Sequence, residues 1–341
     1  MTDCRGCGYR TRPMTSPQLD IVAIGDAIVD VIAACGDSFL EEHGLQKGSM
    51  QLLDTRQADE LYSAMGPARE ISGGSAANTM AGVAALGGRA AFIGQVAEDQ
   101  LGEIFAHDMR SLGVEFHTPP LRDGPPTGRC LILVTPDAQR TMNTCPGASH
   151  ELSSQALDEE LIASASVTFL EGYLWGPQRP REAMLRAAEI AHSAERTVAF
   201  TLSESLCIPG RKEGVMSMIE RRLVDMLFAN EDEATVLTGA NDLDAALTRL
   251  TPKVKTLIVT RGAAGAIAIE AGECFEVPAA RVEKVVDTTG AGDLFAAGFV
   301  AARCRGHGLE RCLEAGSLAA AEVISHYGAR PESDLREIVA L

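Results

Sequence analysis

Short apolar runs alternate with longer segments of helical periodicity along most of the chain. The runs that predict strands lie at 20–32 (a strand pair, or a strand and a turn), 90–96, 129–135, 166–170, 197–202, 226–229 and 256–260. The segments that predict helices lie at 54–65, 78–86, 100–112, 180–194, 214–223, 231–237 and 242–251. This alternation predicts an α/β fold in which right-handed βαβ units build a mostly parallel sheet with helices on both faces.

Two segments interrupt the alternation, at roughly 28–53 and 114–144. Both are typical of extended chain broken by turns, and we expect them to pair as a small sheet that forms a lid beside the main one. No linker or repeat divides the rest, so residues 14–341 are predicted to be one domain. Residues 1–13 lack apolar periodicity, and we expect Met14 to be the natural start and the preceding residues to be an extension.

The chain of 341 residues carries a formal net charge of -17, which argues against nucleic acid or an anionic membrane as a partner. No apolar run is long enough to span a bilayer. The nine cysteines are scattered, as expected of a cytoplasmic protein with reduced thiols. Small-molecule substrates are the expected partners, and the chain is expected to be a monomer or a homodimer.

The most informative motif is Asp-Thr-Thr-Gly-Ala-Gly-Asp at 287–293, followed by the apolar run 294–300. Gly290 and Gly292 permit a tight turn into a helix, whose first N–H groups and positive dipole end favour phosphate. Asp293 would repel an anion there, so its presence makes sense if it takes a proton from an attacking hydroxyl. A capped core helix explains the motif equally well when it stands alone.

Two further clusters, one of small residues and one of acidic residues, could contact a ligand. Gly73 and Gly74, in the predicted loop 72–78, let a ligand approach the backbone, and Asn78 offers a donor and an acceptor to sugar hydroxyls. Asp26 and Asp30 follow the first strand, where ligands of parallel sheets bind. A tight turn and a pair of surface carboxylates are the structural alternatives.

Three later strand ends also carry ligand-type residues. Asn230 and Glu233 offer oxygen ligands for Mg²⁺, although an acidic first helical turn explains them as well. The glycine-rich segment 260–266 suits either a nucleotide or a hairpin turn. Tyr173 and Trp175 could stack on a base, although core packing is the more common role of such residues.

These motifs, in this order, resemble the ribokinase family, the pfkB-type carbohydrate and nucleoside kinases, from residue 20 to residue 331. DTTGAGD at 287–293 carries most of the resemblance, supported by GGSAAN at 73–78, N-x-x-E at 230–233 and T-x-G-x-x-G at 260–265. The segments GDAIVD (25–30), TPDAQRTMNT (135–144) and EGYLW (171–175) are most similar to bacterial adenosine kinase-type members. The resemblance implies a ribokinase-like three-layer α/β/α fold with a small β lid.

The resemblance also implies roles for individual residues. Asp293 would be the catalytic base, and Gly290, Ala291 and Gly292 would form an anion hole with the Asp293 N–H. The residues expected to bind the acceptor are Asp26, Asp30, Gly73, Gly74 and Asn78, with Arg140 covering the transferred phosphate and Tyr173, Leu174 and Leu206 enclosing a purine. Many relatives have Asn where this chain has Asp26, and a carboxylate cannot donate a hydrogen bond.

The nucleotide is expected on the other side of the anion turn. The residues expected to line the ATP site are Asn230, Thr260, Gly262, Gly265, Gly290 and Gly292. Asn230 and Glu233 would hold Mg²⁺ through water. Asp287 and Thr289 match positions that bind a monovalent cation such as K⁺ in some relatives.

The expected reaction is phosphorylation of the 5′-hydroxyl of adenosine by ATP. A sugar kinase acting on fructose, ribose or a keto-sugar acid is the first alternative. A non-catalytic nucleoside-binding regulator is the second, and it would leave the carboxylate of Asp293 without a purpose.

Overall fold

The computed structural model describes residues 17–203 and 211–341. The expectations about residues 1–13 and Leu206 therefore lie outside the described residues. The strands are β1 (Leu19–Ile24), β2 (Ile28–Ala34), β3 (Met50–Leu52), β4 (Ala68–Gly73), β5 (Ala90–Ile93), β6 (Val114–Phe116), β7 (Gly128–Val134), β8 (Arg140–Cys145), β9 (Ala165–Glu171), β10 (Thr197–Thr201), β11 (Met226–Asn230), β12 (Thr256–Thr260), β13 (Ala266–Glu270) and β14 (Glu273–Val277). The α-helices are α1 (Asp37–Glu42), α2 (Thr55–Ala64), α3 (Ser75–Ala85), α4 (Gln100–Ser111), α5 (Glu159–Ser164), α6 (Gln178–Ser193), α7 (Arg211–Glu220), α8 (Glu231–Thr238), α9 (Leu243–Leu250), α10 (Ala291–Cys304), α11 (Leu309–Val323) and α12 (Leu335–Val339).

The main sheet has nine strands in the order β14-β13-β12-β11-β10-β9-β1-β5-β6. Adjacent strands from β12 to β6 in this order are all parallel to each other. β13 and β14 extend the sheet as an antiparallel hairpin next to β12. Alternate residues of β1 face two cores: Ile21 and Ala23 pack with α3, α10 and α11, whereas Val22 and Ile24 pack with α6 and α7. The fold is thus the expected ribokinase-like α/β/α arrangement, and burial on both faces explains the continuous apolar runs.

The parallel pairing brings separate strand ends to one edge of the sheet. Asp26 lies two residues after the end of β1. β9 ends at Glu171, β11 ends at Asn230 and β12 ends at Thr260. Carboxyl ends of parallel strands lie at the same edge, which is where ligands of such sheets bind. The fold therefore collects residues that are far apart in the sequence.

The small sheet has five strands in the order β3-β8-β7-β2-β4. The two segments expected to pair as a lid contribute β2, β3, β7 and β8. Two differences from the expectation stand out: β4 joins this sheet from outside both segments, whereas β6, inside the second segment, pairs with β5 at the edge of the main sheet. The strand β4 is short and carries charged residues near its start, so its sequence lacks the apolar run from which the other strands were predicted. Within the described residues, no helix is long and apolar enough to cross a membrane.

The segment 72–78 is not the loop that its small residues predict. β4 runs to Gly73, and α3 begins at Ser75, so Gly74 alone makes the turn. Gly74 has a φ of 92°, and a Cβ there would collide with the backbone oxygen of Asp26. The glycine is therefore required by a close approach of two backbones, and the helix starts one turn earlier than predicted.

Candidate active site

The motif at 287–293 forms the turn into α10. Gly290 has a left-handed φ of 80°, and a Cβ on it would lie 2.7 Å from the Cβ of Ala329. The N–H of Ala291 donates to the oxygen of Thr288 at 3.2 Å, so it is already used. The N–H groups of Gly292 and Asp293 have no acceptor among the described residues. The free donors at this helix start therefore include those two N–H groups, with open space beside Gly292, whereas the Ala291 N–H expected in the anion hole is already paired.

Asp293 is held by two side chains of α3. Ser75 Oγ donates to its Oδ1 at 2.6 Å, and Asn78 Nδ2 donates to its Oδ2 at 2.9 Å. Burial raises the pKa of Asp293 to about 6, while both hydrogen bonds and the charge of Arg330 oppose that rise. The carboxylate is thus ionised at neutral pH, as a general base must be.

Asp30 lies on β2 of the small sheet, where it pairs with Ile71 of β4, two residues before Gly73. A Cβ on Gly73 would lie 2.6 Å from the carboxyl group of Asp30, so the glycine makes room for it. Burial raises the pKa of Asp30 to about 6, and the charge of Asp293 adds to that rise, whereas Arg140 and Arg330 oppose it. The carboxylates of Asp30 and Asp293 therefore interact with each other. Asp30 comes from β2 of the small sheet, and Asp293 comes from the first turn of α10.

Glu171 is a site residue that sequence reasoning missed. Its side chain is fully buried at the end of β9, where it accepts from the N–H of Ala76 at 2.7 Å and of Asp26 at 3.5 Å. Burial, and next the charge of Asp26, raise the pKa of Glu171 well above its ordinary value. Glu171 thus links the β1 end to the start of α3. The available signal was an acidic residue that closes an otherwise apolar strand.

Asp26 is buried beside Glu171 and accepts from Ser149 Oγ at 2.9 Å. Burial raises the pKa of Asp26, and the charges of His150 and Arg211 are among the causes that oppose the rise. One contact of the Asp26 carboxyl group is therefore the Ser149 hydroxyl, which donates to it. Ser149, in a short turn after β8, was not predicted.

Arg330, in the segment after α11, was also missed. Its guanidinium donates to the backbone oxygens of Ala77 at 2.7 Å and Ser72 at 3.0 Å. Burial lowers its pKa to about 10, and the charges of Asp30 and Asp293 oppose that change. Arg330 therefore supplies a fixed positive charge beside the two carboxylates, and no local motif indicated it.

Arg140 of β8 does not point to a free phosphate position. Its Nη1 donates to Asp287 Oδ2 and to Thr289 Oγ1, the latter at 2.9 Å, which ties the small sheet to the anion turn. Asp287 also accepts from the N–H groups of Thr289 and Gly328, each at 3.0 Å. In this arrangement Asp287 and Thr289 do not fit a monovalent-cation site, because the positive charge that K⁺ would bring is already present on Arg140.

The residues expected to bind the nucleotide form local structures. Asn230 and Glu233 make a reciprocal capping box at α8, each side chain accepting from the other's N–H at 2.8 Å. Among residues 17–203 and 211–341, no group of three or more acidic, His or Cys side chains could hold a metal ion by itself. Mg²⁺ bound to phosphates needs only one or two protein carboxylates through water, so the half-buried Glu233 fits that lesser role.

Thr260 ends β12, and the turn into β13 contains Gly262 and Gly265. Gly265 has a φ of 94°, and a Cβ there would collide with the backbone oxygen of Val277. Gly262 has a φ of 54°, and a Cβ on it would have no described atom within 4 Å, which leaves space above the strand end. The turn thus fits both interpretations of the segment, a hairpin that also leaves room for a nucleotide.

The aromatic segment after β9 divides between the site and the core. Leu174 and Trp175 are buried in the core on the α6 side of the sheet, and Trp175 packs edge-on against Phe200 with 5.9 Å between ring centroids. Leu174 is fully buried and so cannot enclose a ligand as expected. Tyr173 is half-buried and stays at the strand-end edge.

Comparison with known proteins identifies the family of this chain. A family model described as pfkB family carbohydrate kinase matches residues 18–335. The chain belongs to the pfkB family. It is a carbohydrate or nucleoside kinase of an ATP-using family. The site at the strand-end edge, with its helix-start N–H groups, is therefore the candidate active site of this kinase.

Similar proteins include both nucleoside and sugar kinases. The structure of adenosine kinase from Sinorhizobium meliloti is 48% identical, with a TM-score of 0.86, over 94% of this chain and 98% of that one. A probable sugar kinase from Rhizobium etli CFN 42 is 45% identical, with a TM-score of 0.87, over 94% and 97%. Adenosine kinase of Saccharomyces cerevisiae is 27% identical, over 92% of this chain and 96% of the relative.

Proposed function

We propose that this kinase transfers the γ-phosphoryl group of ATP to the 5′-hydroxyl of adenosine, giving AMP and ADP. The observation that carries the proposal is the carboxylate of Asp293, held by Ser75 and Asn78 beside the unpaired N–H groups of Gly292 and Asp293. That arrangement suits removal of a proton and stabilisation of phosphate charge at one place. The 48% identity to an adenosine kinase favours adenosine as the acceptor.

In the proposed mechanism, Asp293 accepts the proton of the attacking hydroxyl. The transition state of phosphoryl transfer is loose, so the proton leaves late and a base with a pKa of about 6 is strong enough. The two unpaired N–H groups receive the charge that develops on the transferred group. ATP with Mg²⁺ would supply that group. Glu233 and Asn230 would hold Mg²⁺ through water, and the turn at Gly262 and Gly265 would line the nucleotide.

Acceptor binding is assigned to the residues around Asp293. Asp30 is proposed to accept hydrogen bonds from ribose hydroxyls. Gly73 and Gly74, which were expected to let the substrate approach the backbone, instead make room for the Asp30 carboxyl group and the Asp26 backbone. Arg140 is proposed to exchange Asp287 for the transferred phosphate, because a guanidinium binds either anion. Its present bond to Asp287 ties the small sheet to the anion turn before that exchange.

A sugar kinase is the second candidate, and the 45% identity to a probable sugar kinase favours it. The chemistry at Asp293 would be the same with another acceptor. A non-catalytic nucleoside-binding regulator is disfavoured, since such a protein gains nothing from an ionised carboxylate beside an anion site.

An ADP-release assay with ATP, Mg²⁺ and a panel of acceptors tests the proposal. Adenosine, inosine, fructose, ribose and a keto-sugar acid should be compared by kcat/KM, with the adenosine product identified by phosphorus NMR. We expect adenosine to be the preferred acceptor and 5′-AMP the product. Preferred turnover of a sugar would replace the adenosine assignment, and no ADP release with any acceptor would favour the regulator.

A further inference from the structure

Arg211, the first residue of α7, is a buried cation with unused donors. Only 8% of its surface is exposed. Its Nε and Nη1 atoms are buried and have no hydrogen-bond partner among the residues that the structure describes. Leaving guanidinium donors buried and unpaired is costly, so such a group is expected to meet an acceptor that arrives with a ligand.

The guanidinium is positioned at the strand-end edge of the sheet. It packs on Gly176, where a Cβ would lie 2.5 Å from Nη2 and 2.7 Å from Nε. Gly176 closes the turn that follows Glu171 and Tyr173. Because Gly176 has no side chain, the Arg211 guanidinium can lie against the backbone after β9. This position is next to the residues proposed to bind the acceptor substrate.

The electrostatic partners of Arg211 place it at one end of the site. Burial lowers the pKa of Arg211, and the charges of Asp26 and Tyr173 oppose that change. Burial likewise lowers the pKa of His150, with Asp26 opposing and Arg211 adding to the change. The cation that acts on Asp293 is instead Arg330. Arg211 thus interacts with Asp26, whereas Arg330 interacts with Asp293.

We propose that Arg211 is a specificity residue that donates hydrogen bonds to an acceptor atom at the end of the substrate remote from the phosphorylated hydroxyl. On the proposed function, on which this inference rests, that atom is a ring nitrogen of the purine. A guanidinium also matches the carboxylate of a keto-sugar acid, the other source of the same chemistry. The Asp26 carboxylate next to it accepts hydrogen bonds when ionised, so the pair offers a donor and an acceptor side by side.

The test compares wild type with Arg211→Met on adenosine and its 1-deaza, 3-deaza and 7-deaza analogues. For wild type we expect one analogue to lose about 10-fold or more in kcat/KM, because it lacks the nitrogen that receives the hydrogen bond. Arg211→Met should lose a similar factor on adenosine, mainly through KM, and show no further loss on that analogue. Arg221→Met, an exposed arginine just after α7, is the matched control and should discriminate as wild type does.

Thermal melting and ATP binding check that Arg211→Met is folded. Equal losses on every analogue for wild type and Arg211→Met would overturn the inference while leaving adenosine phosphorylation intact. If wild type turns over no nucleoside, the proposed function fails, and the same pair of proteins is compared on a keto-sugar acid and its neutral keto-sugar. Selective loss of the acid by Arg211→Met would then support the role of Arg211, and equal losses would overturn it.

Discussion

The two sides of the anion turn are built in different ways. On the acceptor side, hydrogen bonds between residues distant in the sequence hold the site together. Examples are those from Asn78 to Asp293 and from the Ala76 N–H to Glu171. This side comprises Asp26, Asp30, Asn78, Glu171 and Asp293. The nucleotide side, comprising Asn230, Glu233, Thr260, Gly262 and Gly265, relies on local structure, such as the capping box of α8.

This difference suggests a division of tasks. Buried carboxyl groups with fixed partners suit a side that must orient one hydroxyl, because preorganised groups need no rearrangement during the reaction. Backbone turns and a helix cap suit a side that holds a polyphosphate mainly through N–H groups and Mg²⁺. Substitutions on the acceptor side should therefore affect catalysis more than substitutions on the nucleotide side.

The largest effect is expected for Asp293→Asn. The amide keeps the shape of the side chain but cannot take a proton, so kcat should fall at least ~10²-fold. Adenosine binding, measured by calorimetry without ATP, should stay nearly unchanged. Asp244→Asn, on the exposed first turn of α9, is the control and should behave as wild type. Near-normal turnover of Asp293→Asn would contradict the assignment.

Glu171 should affect stability in a pH-dependent way. Its pKa is raised in the folded state, so the stability contributed by the protonated carboxyl is present below its unfolded pKa and lost as pH rises through the folded pKa. Glu171→Gln stays neutral, so its Tm should gain on that of wild type between pH 5 and pH 8. Glu273→Gln, on the exposed start of β14, should show no such trend.

Glu171→Ala sharpens the same point. It leaves the buried N–H of Ala76 without an acceptor, which should cost about 1–3 kcal/mol of unfolding free energy at acid pH, where Glu171 of wild type is protonated. Denaturant unfolding measures this cost. If instead the Tm difference between Glu171→Gln and wild type stays constant from pH 5 to pH 8, Glu171 titrates as an ordinary carboxyl group.

The smallest effects are expected on the nucleotide side. Asn230→Ala removes the N-cap of α8, and Asp242→Ala removes the N-cap of α9, where Asp242 accepts from the Ala245 N–H at 2.8 Å. Each should cost about 1 kcal/mol of stability. Only Asn230→Ala should also raise the KM for MgATP. Equal KM values in the two variants would make Asn230 a capping residue and nothing more.

The same contrast explains what the sequence could predict. The features within a few residues of one another, such as N-x-x-E at 230–233 and the turn at 287–293, carry their chemistry in a local motif. The parallel sheet followed from periodicity, and parallel pairing then accounts for the shared edge. The ribokinase-like fold that the resemblance implied is confirmed by the solved structures of relatives.

Residues that act through tertiary contacts escaped prediction. Arg330 reaches Ser72 and Ala77 across some 250 positions, and Glu171 looked like the end of an apolar strand. Leu174 was expected at the ligand, but it lies in a short 3-10 helix after β9 that places it in the core. Asp287 was expected to bind a cation, yet Arg140 from the small sheet reaches it first. Each case depends on which segments meet in space, which local patterns do not specify.

The most direct test of the acceptor side is the pH dependence of kcat/KM for adenosine in wild type and Ser75→Ala. The base must be ionised, so for wild type the value should rise with pH through a midpoint near the pKa of about 6 that burial gives Asp293. Removing the Ser75 hydroxyl takes away a hydrogen bond that favours the carboxylate, so the midpoint should move to higher pH. A profile that is flat from pH 5 to pH 8, or a midpoint that Ser75→Ala leaves in place, would contradict Asp293 as the base.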